Sequence, residues 1–221
     1  MKKLTVFIVL AVVLSSGGCK YAPLVSLMST ESYHERKITA EYNLAEHAEQ
    51  KLLVLVEQPG WLDADVNIRY YLTKAINKNL VARAEVVAEK LVPYSGLAEF
   101  RSDEPNFSLL SPIEVGSALD ANMVLLVAIE DYYLDEMGGS GYYGGFLVVR
   151  SVLFDTATGE KLWPESARGK TIKVGFDAER RGKLAAVARL AAACAFCTTR
   201  YLYDCPKNKF RIIEDKTEVG W

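Results

Sequence analysis

Hydrophobic and polar positions change period several times along the chain, and each change predicts an element. From Arg36 onward Ile38, Ala40, Tyr42 and Leu44 alternate with Lys37, Thr39, Glu41 and Asn43, the pattern of a strand with one wet face at a sheet edge. Lys51 to Glu57 is nearly all apolar and suits a strand buried on both faces; Gln58, Pro59 and Gly60 stop it. From Asp65 to Ala82 the spacing becomes Ile68, Tyr71 or Leu72, Ala75 and Ala82, a helical stripe with Asp63 or Asp65 placed to cap its start. Glu85 to Val92 reads as a third strand ended by Pro93, followed by short helices over Tyr94 to Arg101 and Ser111 to Leu119. In the second of these, Pro112 occupies the first helical position and Glu114 stands three residues after Ser111, the spacing of a capping box.

The strongest pattern lies between Ala121 and Asp155. Two Val- and Leu-rich runs, Ala121 to Ile129 and Phe146 to Phe154, flank a glycine-rich break from Gly138 to Gly145, which predicts two central strands joined as a hairpin. Thr156 to Gly159 then turns the chain into a short strand, Glu160 to Trp163, with a weaker strand over Thr171 to Phe176. The last element is a helix over Ala178 to Tyr203. At about 100° per residue, Leu184, Val187, Ala188, Ala191, Ala195, Thr198 and Leu202 share the face expected against the sheet, with Arg189, Ala193 and Arg200 opposite. The order of elements predicts an α+β domain: a mixed β-sheet with helices packed mainly on one face and a central antiparallel hairpin, spanning residues 36–205. A charged tail follows over residues 206–221.

The start of the chain follows another pattern. Lys2 and Lys3 precede an apolar run of eleven residues, Leu4 to Leu14. As a helix it rises about 16 Å, roughly half a bilayer core, so residues 1–18 are expected to be a signal peptide and not a membrane span. Ser15 to Gly18 followed by Cys19 is similar to a bacterial lipoprotein signal, with Ser16 where such signals usually carry Leu. That resemblance implies that Cys19 carries acyl chains such as palmitate, becomes the N-terminus and anchors the protein in a lipid bilayer; an ordinary secretory signal cleaved nearby is the alternative. By the same likeness Lys20, standing where an Asp would retain the protein at the inner membrane, points to the outer membrane with the domain facing the periplasm. Two or three acyl chains anchor firmly where one does not. Residues 19–35 are polar and without period, a tether that spans on the order of 20–25 Å as a random coil.

Charge changes the picture little. The formal net charge is −2, and −4 without Lys2 and Lys3, so the chain lacks the basic footprint of a nucleic-acid binder. Candidate chemistry is sparse. Gly139 to Gly144 reads GSGYYG, formally a dinucleotide fingerprint, but a strand follows it where that motif needs a helix, so no nucleotide is expected. Cys194 and Cys197 have thiol-oxidoreductase spacing but fall inside the predicted last helix, away from a helix start. In an oxidising envelope a disulfide of Cys205 with Cys197 or Cys194 plus one buried thiol is the expected outcome, and a thiol-redox protein the alternative. The histidines, His34 and His47, are remote from these cysteines, so no metal site is expected. Glu130, Asp131, Asp135 and Glu136 beside the glycines read as solvated loop charges, not a calcium loop. No Gly-x-Ser-x-Gly elbow is present, and no catalytic residue or cofactor is expected. Tyr132, Tyr133, Tyr142 and Tyr143 flank the same break, where they either contact a partner or close the core.

Ser111 to Leu134 (SPIEVGSALDANMVLLVAIEDYYL) followed by Ser151 to Trp163 (SVLFDTATGEKLW) resembles one half of a family of bacterial envelope domains. The family includes the lipoprotein activators of peptidoglycan synthases (LpoB), the curli secretion lipoprotein CsgG and the N-terminal domain of TolB. In its pattern a short helix leads to Gly-Ala-Asp, a hydrophobic strand, a loop, a second strand and an Asp-x-x-Thr-Gly turn before Trp. Here Asp120, Ala121 and Asn122 stand at the Gly-Ala-Asp position. The resemblance implies a non-enzymatic protein that docks on another, unidentified envelope protein as an interaction or assembly module. A subunit of an outer-membrane secretion complex is the alternative, although that needs further amphipathic strands of about 9 to 11 residues.

Overall fold

A computed structural model describes residues 37–60, 62, 66–179 and 182–206. Cys19, the signal and tether segments, the tail beyond Pro206 and the expected caps Asp63 and Asp65 lie outside the described residues. The elements in chain order are β1 (Lys37–Ile38), β2 (Leu52–Glu57), α1 (Ile68–Arg83), α2 (Tyr94–Asp103), α3 (Pro112–Ala118), β3 (Met123–Glu136), β4 (Tyr143–Asp155), β5 (Lys161–Trp163), β6 (Lys170–Glu179), α4 (Lys183–Thr199) and β7 (Cys205–Pro206). Among the described residues no helix is long and apolar enough to cross a membrane.

The main sheet is mixed. β2 pairs parallel with β3, while β3–β4, β4–β5 and β4–β6 are antiparallel, so the two strands expected at the centre are there. β1 and β7 form a separate two-stranded ribbon that brings residue 37 beside the last described residues. One face of the sheet carries the larger core. Leu52, Val54 and Val56 of β2 and Met123, Leu125 and Val127 of β3 meet Leu72, Ile76 and Leu80 of α1 and Val187 and Leu190 of α4. On the opposite face a smaller core joins Leu53, Leu55 and Val124 to Leu97 of α2 and Val115 of α3. β2 and the first half of β3 are therefore covered on both sides, which explains their unbroken apolar runs.

Two local signals of the sequence take the form expected. The Ser111 N–H donates to Glu114 at 2.7 Å and the Glu114 N–H to the Ser111 hydroxyl at 3.3 Å, closing the capping box with Pro112 at the helix start. In the turn before Trp163 the Asp155 carboxylate accepts from the N–H groups of Ala157 at 2.9 Å and Thr158 at 2.8 Å and from the Thr158 hydroxyl at 3.0 Å. These bonds hold its carboxyl below the ordinary range, the Thr158 N–H foremost. Thr156 binds this turn to the start of β3, its hydroxyl donating to the carbonyls of Ala121 and Asn122. Asn122 in turn accepts from the Lys51 N–H at 2.8 Å, tying in the start of β2. The residues at the Gly-Ala-Asp position are thus joints of the sheet.

Other expectations are corrected. The alternation from Ile38 to Leu44 is not a long edge strand: only Lys37–Ile38 pairs, and Leu44–His47 is a 3-10 turn. Backbone bonds from Glu41 and Tyr42 to the Tyr201 carbonyl, and from Leu44 to that of Leu202, fasten this segment instead to the chain after α4. Glu41 also receives the Trp163 indole N–H at 2.7 Å and Lys170 at 2.9 Å, so its alternation serves burial against side chains, not a ladder. Glu85 to Val92 is not a strand either. Glu85 has a φ of 57°, Ala88–Lys90 is a 3-10 turn, and Leu91 makes a single bridge to Leu52. α1 is capped by Asn67, which accepts from the Tyr70 N–H at 3.0 Å. α4 begins at Lys183 and is rotated from the expected face: Ala193 is buried, whereas Ala188 and Leu184 are exposed. It packs against α1 as well as the sheet, so most of its circumference is covered and an alanine-rich sequence leaves the facing undetermined.

Candidate functional site

β3 and β4 stay paired far past the point where β2 ends. β2 reaches only Ala128, while the pairing of β3 with β4 continues to Glu136 and Tyr143. The acidic stretch expected to lie in the break is therefore strand, and the connecting loop is residues 137–142. A β-bulge between Ile129 and Asp131 shifts the register within this pairing. Before it, Met123, Leu125, Val127 and Ile129 face the larger core; after the extra residue, Glu130, it is Tyr132 and Leu134 that pack there. Glu130 itself forms an ion pair with Arg150 across the hairpin.

The tip is closed by its own bonds. The Met137 N–H donates to the Tyr142 carbonyl at 2.8 Å and the Gly141 N–H to Glu136 at 2.7 Å. Gly138, Gly139 and Gly141 adopt φ of 62°, 66° and 72°, the left-handed conformation that the loop requires. The GSGYYG stretch thus closes a hairpin and opens no helix, so its geometry is not that of a dinucleotide loop. The acidic residues are likewise occupied locally: Asp131 accepts from the Tyr132 N–H, Asp135 from the Glu136 N–H, and Glu136 from Gly141. Among the described residues no cluster fit to hold a metal ion is present.

The four tyrosines do not form one patch. Tyr132 is half-buried against the larger core, whereas Tyr133 points to the opposite face, 51% exposed, stacked on Phe146 with its hydroxyl donating to Asp135 at 3.2 Å. That hydrogen bond and the Asp135 charge raise the pKa of Tyr133. Tyr142 and Tyr143 are half-buried along the tip, the Tyr143 hydroxyl 3.5 Å from Glu136. The exposed apolar side chains of the hairpin are thus Tyr133 and Met137.

Cys194, Cys197 and Cys205 are all buried thiols, and no disulfide joins them in this structure. Burial, then the neighbouring Cys197, pushes the Cys194 pKa strongly upward. A thiol so placed in mid-helix stays protonated and is a poor nucleophile.

Residues that the periodicities did not single out form a second candidate. At the end of β2, under the extended half of β3, lies a cleft of about 600 Å³ lined by Glu57, Arg69 and Arg101 among polar residues and by Phe107, Leu110 and Ile129 among apolar ones. Arg101 lies 4.7 Å from the Phe107 ring centre and donates to the Val56 carbonyl at 3.4 Å. Burial holds the Glu57 carboxyl above its usual range, against the opposing pull of Arg101. Burial first and Arg69 second push the Arg101 guanidinium below its ordinary value.

No family model matches the chain, and no curated protein matches it in sequence. Solved structures do resemble it. Lipoprotein GNA1162 from Neisseria meningitidis is 14% identical with a TM-score of 0.42, over 65% of this chain and 94% of that one. The PelC dodecamer from Paraburkholderia phytofirmans is 14% identical with a TM-score of 0.41, over 76% of this chain and 96% of that one. The LpoB C-terminal domain from Salmonella enterica is 19% identical with a TM-score of 0.34, over 70% of this chain and 93% of that one. These structural neighbours include bacterial lipoproteins.

Proposed function

We propose that the protein is a non-enzymatic lipoprotein, anchored through acylated Cys19 to the outer membrane, whose periplasmic domain docks on another envelope protein through the β3–β4 hairpin. The observation that carries the docking reading is the length of β3 that runs past β2, while the other side of the hairpin is paired with β6. Past Ala128 it leaves the cover of β2, and it presents Tyr133 and Met137, 51% and 45% exposed. Packing constrains the rest of β3 and β4, whereas an exposed aromatic and a flexible thioether on a strand-held tip make good anchors for a protein partner. The acids around them favour a partner surface with basic groups.

Replacing Tyr133 and Met137 together by Ser tests the reading. Exposed substitutions typically cost under about 0.5 kcal/mol each, so the melting temperature should stay within a few degrees of wild type. Partner capture by cross-linking in native envelopes should fall at least about tenfold, equivalent to about 1.4 kcal/mol. Unchanged capture by the folded variant refutes docking through the hairpin.

A further inference from the structure

The cleft at the end of β2 is independent of the hairpin tip and has a chemistry of its own. It sits outside the carboxyl end of β2, the strand that pairs parallel with β3. Its volume, about 600 Å³, falls in the range of about 300–1,000 Å³ typical of small-molecule sites. Arg69 opens α1 and Arg101 ends α2, so two rigid helices fix the positions of the guanidinium groups. Both side chains are partly buried and near enough for Arg69 to depress the ionisation of Arg101.

These cations lack the counter-charge that such burial normally demands. Among the described residues neither Arg69 nor Arg101 has a carboxylate within ion-pair distance, and the Arg69 Nε is buried without a hydrogen-bond partner. The carboxylates of the cleft stand outside ion-pair distance of both arginines: Glu57 on β2 acts on Arg101 by its charge alone, and Glu104 after α2 accepts from the Asn106 N–H at 3.0 Å. Tyr94 of α2 faces Asn67, with which it exchanges hydrogen bonds. Two like charges line one open cleft, and one of them carries a buried donor without a partner, a setting suited to an oxyanion. Phe107, Leu110 and Ile129 supply an apolar wall beside them.

We propose that this cleft binds the oxyanion of a small ligand, a carboxylate or a phosphate, between Arg69 and Arg101, with an apolar body of the ligand against Phe107 and Ile129. Isothermal titration of the full chain with benzoate, phenyl phosphate and the neutral isostere benzamide tests it. Benzoate, phenyl phosphate or both should bind, and benzamide at least about tenfold more weakly. Binding of benzoate alone assigns the carboxylate, binding of phenyl phosphate alone the phosphate, and binding of both a general oxyanion site. Arg69→Met and Arg101→Met should each weaken the binding at least about tenfold, and Arg69→Met, which relieves the repulsion without removing the Arg101 bond to Val56, should leave the melting temperature equal or higher. Glu57→Gln should tighten it, since it removes a carboxylate whose charge acts on Arg101. Failure of both anions to bind, or benzamide binding equally well, overturns the proposal without recourse to any variant. So does unchanged affinity in both arginine variants.

Discussion

The close approach of α3 to β3 predicts that two glycines, each inside a helix, respond in opposite directions to the same substitution. A Cβ added at Gly116 would lie 2.3 Å from Val124 Cγ2 and 2.6 Å from Thr156 Cγ2, both well inside contact distance. Neither neighbour can yield easily: Val124 is fully buried in β3, and the Thr156 hydroxyl is held by the carbonyls of Ala121 and Asn122. Alanine gains about 1 kcal/mol over glycine in a helix, but forcing a methyl group into a packed contact costs about 1–3 kcal/mol and, at these distances, the upper part of that range. Gly116→Ala should therefore destabilise the domain by about 1–2 kcal/mol, a fall in Tm of roughly 2–8 °C at this size. Gly96 in α2 is the control. A Cβ there meets only Pro93 Cγ at 3.7 Å, an ordinary contact, so Gly96→Ala should raise stability by several tenths of a kcal/mol up to about 1. Urea unfolding followed by circular dichroism measures both variants. A Gly116→Ala protein as stable as wild type would show that α3 does not rest on β3 as closely as the structure has it.

The turn at Asp155 predicts an acid-sensitive fold. Its folded-state pKa is depressed, so its contribution is fully present above the unfolded carboxylate value of about 4 and is lost as pH falls through the folded value. Asp155→Asn, which keeps an acceptor but does not titrate, should make the acid limb of a stability-against-pH curve shallower; an identical limb would assign acid unfolding to other groups. For the anchor, Cys19→Ser should move the protein from the membrane fraction of lysed cells to the soluble fraction, and unchanged partition would place the attachment elsewhere.

Much of the fold was legible because local chemistry and packing agree. The apolar runs of β2, β3 and β4, the Ser111–Glu114 box and the Asp155 turn each carry enough information within a few residues to be read directly. Failures came where a distant partner decides. Ile38 to Leu44 alternates like a strand, yet its outlets are the Tyr201 and Leu202 carbonyls, on the far side of the sequence. α4 offers alanine on nearly every side, and the facing is set by α1 and the sheet together. The acids and glycines after Ile129 resemble a loop because a one-residue bulge shifts the alternation, and nothing in the sequence marks Glu130 as the extra residue. The Arg69–Arg101 cleft shows no spacing at all, since it is assembled by α1, α2 and the ends of two strands.

The backbone bonds of the hairpin restrict how the proposed docking could take place. The Met137 N–H bonds the Tyr142 carbonyl, so hydrogen-bonded pairs alternate backward from there, and the N–H groups of Glu136, Leu134 and Tyr132 point away from β4. Past Ala128 no strand among the described residues covers that side, and an open edge of this kind normally invites another strand. Here Asp131 receives the Tyr132 N–H and Asp135 the Glu136 N–H, both at 2.9 Å. Two of the three outward donors are therefore engaged by the carboxylate just before them, and an added strand would have to displace these bonds and meet a row of negative charge. Side-chain contact at Tyr133 and Met137 requires neither. The same carboxylates that read in the sequence as loop solvation thus blunt the edge, which favours side-chain contact over strand addition as the mode of the proposed docking.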